Sequence, residues 1–168
     1  MEIRQIASLV AAVVFTAVSA APAFAVTVSR ADGQPMNPNG EPFSAAGFTS
    51  LQKGAVSPIG CTLTLNGTVT PTGIINITST QITGGSLCGL ITGSATSVSP
   101  WTGQVDSTTQ VSINNVKLNV TLLGTCGPSK VMAAWNDQNS SATFNNAVLT
   151  PDCTVNGTVM TSPKFHVQ

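Results

Sequence analysis

The chain has 168 residues, six of them basic and six acidic, and therefore no net charge at pH 7. Its cations are scattered rather than clustered, which excludes the basic patch that nucleic acid binding requires. The same sparse charge argues against electrostatic binding to anionic lipid. We therefore expect no nucleic acid partner.

The first 25 residues are predicted to form a cleavable signal peptide. A basic n-region, Met1 to Arg4, precedes an apolar run from Ile6 to Val18, and Ala23-Phe24-Ala25 fits the cleavage pattern. The apolar run is shorter than the ~20 residues that a transmembrane helix requires. We therefore expect a mature chain that starts at Val26, has no membrane span and is secreted to the medium or the cell surface. The periplasm is the alternative location.

Residues 26–47 are predicted to form an N-terminal arm or linker. The segment from Ala31 to Gly47 contains three prolines and three glycines and has no periodic apolar pattern. One interpretation is an irregular lead-in that lies on the domain surface. The other is an extended arm that is available to a partner.

Residues 48–168 are predicted to form a single-domain antiparallel β-sandwich with two disulfides. Here the composition turns to Thr, Val, Ile, Leu, Asn, Ser and Gly, with short alternating runs between turn residues, which is typical of strands. No segment sustains the 3.6-residue period of an amphipathic helix. Strand candidates include Ile74 to Ile82, Lys130 to Trp135 and Ala142 to Leu149.

Three dipeptides that contain asparagine are predicted to be hairpin turns. With Asn114-Asn115 as a two-residue turn, the apolar residues between Val111 and Leu122 share one face. At Asn66-Gly67 and Asn156-Gly157 a two-residue loop would mix the faces. Three-residue loops, with the glycine in a left-handed conformation, are predicted there instead.

All four cysteines are predicted to form disulfides, because export delivers them to an oxidising compartment. Sequence alone permits three connectivities. The equal separations of 27 positions favour Cys61 with Cys88 and Cys126 with Cys153. Each bond would close a loop worth about 3.5 kcal/mol. A zinc site is the alternative, but the sequence has no CxxC pair and only one histidine.

The sequence predicts no enzyme, no cofactor and no metal site. The single histidine, His166, lies in what we expect to be a frayed tail, and the acidic residues are widely spaced, so neither a hydrolytic triad nor a carboxylate pair is indicated. There is no glycine-rich phosphate loop. Asn136 to Ser140 has the oxygen ligands of a calcium loop at alternate positions, but it lacks further carboxylates and is interpreted as a polar turn. Trp101 and Trp135 are interpreted as plugs of the core or its rim.

The stretch from Phe43 to about Trp101 resembles the Pra-type secreted protein activators of alkane oxidation, and the likeness extends more loosely over the rest of the mature chain. The resemblance rests on Phe43 to Gly47, the Lys53-containing lead to Gly60-Cys61-Thr62, Asn66-Gly67-Thr68-Val69, Gly85 to Cys88, and Pro100-Trp101. It implies a non-enzymatic extracellular accessory for growth on long-chain alkanes, and it transfers no catalytic residue.

The partners expected from this resemblance are apolar hydrocarbon or cell-surface polymers, with self-association as a further expectation. The alternative function is a pilin-like or adhesin subunit of surface attachment and biofilm. Exported β-domains with a free N-terminal arm suit polymers that form by strand addition. Against this, the chain ends Lys164 to Gln168 without the penultimate tyrosine that is usual in chaperone-assembled pilins.

Overall fold

The computed structural model describes residues 26–168, so the predicted signal peptide lies outside the described residues. The described chain forms strands, turns and one 3₁₀ helix, Cys88–Leu90. The strands are β1 (Val28–Arg30), β2 (Glu41–Lys53), β3 (Ile59–Val69), β4 (Ile74–Thr83), β5 (Ile91–Gly93), β6 (Trp101–Ser107), β7 (Gln110–Val120), β8 (Gly124–Asn136), β9 (Ser141–Leu149), β10 (Cys153–Ser162) and β11 (Phe165–Val167). None of the described elements is a helix of the length and apolarity that a membrane crossing needs.

Eight of the strands form an antiparallel sheet that closes on itself. Their order is β7-β6-β4-β3-β2-β10-β9-β8, and β8 pairs in turn with β7. The all-β class with two disulfides is therefore confirmed, but the predicted sandwich is wrong because the sheet closes into an eight-stranded barrel. A sandwich and a barrel both place alternate residues inward, so the strand pattern does not distinguish them.

Strands β1 and β11 form a separate two-stranded ribbon across one end of the barrel. The Val28 N–H donates to the carbonyl of Pro71, in the β3–β4 connection, at 2.8 Å. The rings of Phe43 and Phe165 meet edge to face, with centroids 6.4 Å apart. We call this end of the barrel the ribbon end.

Ten of the 22 residues in the predicted arm, 26–47, lie in strands instead. Residues 28–30 form β1, and residues 41–47 are the first half of β2, which pairs with β3 from Glu41 onward. Pro42 is tolerated because the β2–β10 ladder extends only to Ser44, so one side of β2 needs no donor there. A Cβ on Gly47 would lie 2.0 Å from the Thr158 carbonyl oxygen. The first half of β2 contains small residues and a proline, so it lacks the apolar alternation by which a strand is predicted from sequence.

The predicted turn at Asn114-Asn115 is a β-bulge inside the continuous strand β7. The β7–β8 register shifts between Ile113 and Val116, and Asn115 has a φ of 61°. A one-residue bulge reverses the inward and outward phase just as a two-residue turn would. The predicted inward residues are therefore buried, namely Val111, Ile113, Val116, Leu118 and Val120. Leu122 is the exception, since it lies beyond the end of β7.

Strands β3 and β10 also pass straight through the predicted turns at Asn66-Gly67 and Asn156-Gly157. The extra residue lies in the neighbouring strand in each case, in β4 opposite Gly67 and in β9 opposite Asn156. In β9 the bulged residue is Asn146, with a φ of 49°. Asparagine tolerates this left-handed conformation better than other residues with side chains, so the same residue type suits a turn and a bulge.

The barrel interior is filled by inward side chains from every strand of the closed sheet, as expected for eight strands. Three of these side chains, Leu65, Ile113 and Phe144, divide the interior into two apolar cavities of about 50 and 70 Å³. Trp101 is buried and lines the smaller cavity, and its indole N–H donates to Ser94 Oγ at 3.1 Å. Trp135 is half-buried and lines the larger one. Both tryptophans thus belong to the packed interior and its margin.

Candidate functional site

Four chain connections lie at the end of the barrel opposite the ribbon, which we call the disulfide end. Backbone hydrogen bonds join them in two pairs: the Gly54 N–H donates to the Asp152 carbonyl at 2.7 Å, and the Thr121 N–H donates to the Leu90 carbonyl at 2.8 Å. The connections comprise residues 54–58, 84–90, 121–123 and 150–152. They form one surface whose shape is set by the strand ends below it.

Both disulfides secure this end. Cys61 in β3 is bonded to Cys88 in the 3₁₀ helix, and Cys126 in β8 is bonded to Cys153 at the start of β10. This is the pairing that the equal spacing favoured. The Cα atoms are 5.7 Å apart in each bond, and all four cysteines are buried. In the sheet order β9 lies between β8 and β10, so the second disulfide joins the ends of two strands that are not hydrogen-bonded neighbours.

Aliphatic side chains project from three of the four connections. Leu122 is 95% exposed and Leu87 is 54% exposed, and Val56 and Leu123 are each more than 40% exposed. We call these four residues the aliphatic tips. Transfer of one such side chain from water to an apolar phase is favourable by about 1.5–3 kcal/mol when the side chain is fully buried. The disulfide end therefore offers several anchoring side chains that require no change of fold.

The only charged residues of strand β2, Glu41 and Lys53, stand at its two ends, and none occurs in β3, β4, β9 or β10. These five strands are consecutive around the barrel, in the order β9-β10-β2-β3-β4. Their outer surface, which we call the uncharged wall, exposes Phe48, Val148 and Met160 among threonine, serine and asparagine. Such a surface is weakly hydrated compared with a densely charged one.

Lys53 lies where the uncharged wall meets the disulfide end, and its charge is neutralised. Its Nζ donates to Asp152 Oδ1 at 2.6 Å and to the Thr125 carbonyl at 3.3 Å. The lysine side chain is largely buried, while the carboxylate is about half exposed. Asp152 is the one charged residue in the four connections, and this ion pair neutralises it.

The two interior cavities are too small to enclose a long-chain hydrocarbon. An apolar cavity of about 150 Å³ is the size that binds benzene, whereas these have volumes of about 50 and 70 Å³. Neither cavity is lined by a charged side chain. A whole molecule of that size could therefore contact this protein only on its outer surface.

The ribbon end carries most of the charged contacts. Asp137 Oδ1 accepts from the Val167 N–H at 2.7 Å and the Trp135 indole at 3.3 Å, and Oδ2 lies 2.7 Å from His166 Nδ1. Burial raises the pKa of Asp137, but the bonds from His166, Val167 and Trp135 outweigh it, and the pKa is lowered. His166 thus lies in β11, so the expected frayed tail is wrong. Asp137 serves as an anchor for the ribbon inside the predicted polar turn.

A second ion cluster joins β1 to the start of β2. Arg30 donates to both carboxylate oxygens of Asp32 and to Glu41. The bond from Arg30 and a backbone N–H from Gln34 lower the pKa of Asp32 to about 2. A backbone N–H from Asn37 and the Arg30 guanidinium lower the pKa of Glu41. The charges of Arg30, Asp32 and Glu41 therefore pair with one another and hold β1 against the start of β2.

Sequence reasoning identified the four cysteines but not the aliphatic tips. Isolated apolar residues in turns show no hydrophobic periodicity. The alternation from Val111 to Leu122 instead predicts that Leu122 lies on the buried face of a strand. The signal that could have marked the β7–β8 turn is Gly124, which has a φ of 92° directly after Leu122-Leu123. In residues 26–168, no group of three or more histidine, cysteine or acidic side chains is placed to hold a metal ion.

Comparison with protein families gives one match. The family model described as "Alkane oxidation protein activator PraA/PraB-like" matches residues 1–168. Comparison with curated proteins and with solved structures gives no match. The family match covers every element described above, including both disulfides, the uncharged wall and the aliphatic tips.

Proposed function

Because this chain belongs to the PraA/PraB-like family of alkane oxidation activators, we propose that it is an exported, non-enzymatic accessory that promotes access to long-chain alkanes. It acts at the cell surface or at the oil–water interface, and its partner is the apolar hydrocarbon itself. It improves contact with the alkane without changing it chemically.

The observation that carries this proposal is the arrangement of the aliphatic tips at one end of the barrel. Leu122 and Leu87 extend from separate connections at the disulfide end, whereas the ion clusters of Arg30 and Asp137 lie at the opposite end. This polarity suits a protein that stands on an interface with the tips in oil and the ribbon end in water. Exposed apolar patches of this kind are typical of interaction sites.

The fold is suited to such a location. An oil surface unfolds proteins by offering their core residues an alternative apolar environment. Here the connections that would meet the oil are those held by Cys61–Cys88 and Cys126–Cys153, and each disulfide restricts the unfolded chain by about 3.5 kcal/mol. The uncharged wall can approach oil or neighbouring copies at little electrostatic cost.

The alternative function, a pilin-like or adhesin subunit, would use the uncharged wall for self-association. Within residues 26–168, the two strands of the N-terminal segment are already paired, β1 with β11 and β2 with β3 and β10, so neither is free for addition to a second copy. Lateral packing of wall against wall remains the mode of assembly that this alternative requires.

Growth of a deletion strain separates the two functions. We expect a lag on hexadecane but not on hexadecanol, and recovery of growth when purified protein is added, because only the alkane needs the accessory. Equal growth on both substrates, together with loss of surface attachment or of a polymer ladder on gels, would contradict the proposal and favour the adhesin.

A further inference from the structure

The barrel wall is incompletely hydrogen-bonded between β8 and β9. These strands pair at only three positions, from Ala134↔Thr143 to Asn136↔Ser141, near the ribbon end. Contact resumes at the disulfide end, where the Gly127 N–H donates to the Thr150 carbonyl at 2.5 Å. Between these points residues 130–133 and 144–149 lie side by side without a ladder, and we call this stretch the seam.

The bulge in β9 causes the seam. Asn146 has a left-handed φ of 49°, and its N–H donates to Asn156 Oδ1 at 2.7 Å, on the neighbour away from β8. Continuing the register past the bulge would set Ala147, which points inward, against Lys130, which points outward. Antiparallel partners must point to the same side of a sheet, so the ladder cannot continue in this register, and it ends at Ala134↔Thr143.

The seam has the barrel interior on one side and a surface groove on the other. Val131, Ala147 and Leu149 line the cavity of about 50 Å³, Trp135 and Ala142 line that of about 70 Å³, and Phe144 lines both. On the outer face Met132, Ala134, Thr143 and Asn145 line a groove of about 300 Å³. The seam therefore separates the smaller cavity from the groove along a stretch of wall that has no backbone ladder.

The side chains that line the two cavities determine which kind of ligand could enter them. The side chains around the disulfide-side cavity are apolar apart from Thr49, and those around the other are apolar apart from Thr161. No charged side chain lines either cavity to pair with an ionic head group. Because neighbouring strands lie only about 4.8 Å apart, entry along the seam requires the two strands to part and therefore favours the narrowest, unbranched chain. The groove outside offers hydroxyl and amide groups to whatever remains in water.

We propose that the seam admits one end of an unbranched alkyl chain into the barrel interior, where it lies between Val131, Phe144 and Ala147. The chain is that of an alkane or of a 1-alkanol, whose hydroxyl would stay in the outer groove beside Thr143 and Asn145. This site goes beyond the proposed function and does not depend on it, since a chain end can enter the interior without any oil surface.

Bromoalkane quenching of the two native tryptophans tests this site in the absence of an oil phase. 1-Bromohexane, kept below its solubility limit, is expected to quench Trp135 and Trp101 saturably, since a bromine atom quenches indole on contact. The isomer 1-bromo-2,2-dimethylbutane, which is branched next to the bromine and is stable to hydrolysis, should give only a linear collisional response. Competition with hexane and with 1-hexanol then identifies which chain the site prefers.

Matched variants locate the ligand. Ala147→Leu fills the seam-side cavity and should weaken binding at least about tenfold, a change of 1.4 kcal/mol. Val148→Leu adds apolar volume at the next, outward-facing position and should leave binding unchanged. If the Ala147→Leu protein fails to fold, the Phe144→Leu protein provides the test. This substitution widens the interior and should tighten binding.

Three results would overturn the site: a quenching curve that does not saturate, equal quenching by the branched isomer, or unchanged binding in the folded Ala147→Leu or Phe144→Leu protein. Because these measurements use no interface, their failure leaves the hexadecane growth experiment as a separate test of the proposed function.

Discussion

Asp137 and Val167 are 30 positions apart in the sequence, and the carboxylate of the first accepts the backbone N–H of the second at 2.7 Å. This bond holds β11 across the ribbon end, above the cavity that Val167 lines. Ser140, in the same turn, bonds both the N–H and the carbonyl of Phe165. The β8–β9 turn therefore anchors the C-terminal strand.

The Asp137→Ala variant should lower the free energy of unfolding by about 2 kcal/mol, because it leaves the Val167 N–H and the Trp135 indole without their charged acceptor. Asp137→Asn keeps an acceptor oxygen and should lose about half as much. Denaturation in urea measures both effects. Asn139→Ala, an exposed change in the same turn, is the control, and equal stability of all three variants would contradict the anchor.

Acid should destabilise the protein through Asp32. Its pKa is lowered to about 2 in the fold from the ordinary 3.8. A lowered carboxylate pKa adds stability above pH 3.8, and this contribution is lost as the pH falls towards 2. The lowered values of Glu41 and Asp137 act in the same direction. Thermal melts across this window should show a shallower fall for Asp32→Asn than for the wild type, and parallel curves would count against the assignment.

Gly67 is required by the close approach of β3 to β4. A Cβ there would lie 2.0 Å from the Asn76 carbonyl oxygen, which is backbone and cannot move aside. We expect Gly67→Ala to cost about 3 kcal/mol or to prevent folding. Gly89→Ala adds the same methyl group where no atom lies within 4 Å. The control should therefore melt like the wild type, and a similar loss in both variants would refute the steric argument.

The disulfide between Cys126 and Cys153 closes a 27-residue separation. Its removal in the Cys126→Ser/Cys153→Ser variant should lower the free energy of unfolding by about 3.5 kcal/mol, chiefly by freeing the unfolded chain. Peptide mapping without reduction should recover Cys61 joined to Cys88. A peptide that links Cys61 to Cys153 in the wild type would show that the assigned pairing is wrong.

The aliphatic tips should control adsorption to oil. Leu87→Asp/Leu122→Asp removes two anchors and adds charge at the disulfide end, so the variant should lower hexadecane–water tension less than the wild type at equal concentration. Its stability should be unchanged because both side chains are exposed. Gln34→Asp/Asn39→Asp adds the same charge on exposed residues near the ribbon end. If that control loses as much surface activity, net charge rather than the tips is responsible.

The amino-acid sequence by itself determined the strand class and the inward face of several strands, and its equal cysteine spacing favoured the observed pairing without excluding the others. The alternation of apolar and polar residues is a local property of a strand. It predicts one buried face for β7, whatever lies opposite, with the inward residues Val111, Ile113, Val116 and Leu118. The phase change at Asn114-Asn115 was equally readable. The sequence did not show whether this phase change is a turn or a bulge, because both reverse the inward and outward alternation in the same way and asparagine suits both.

Tertiary structure alone decided that the sheet closes and where it weakens. Closure depends on the pairing of two distant segments, β2 and β10, as in Lys53 with Cys153 and Ser44 with Ser162. No local pattern specifies these partners. Small residues such as Gly47 are needed in β2 because the Thr158 backbone of β10 approaches closely, and this contact exists only in the folded protein. The aliphatic tips and the seam exist for the same reason: a side chain becomes exposed, or a ladder fails, according to what the rest of the chain places beside it.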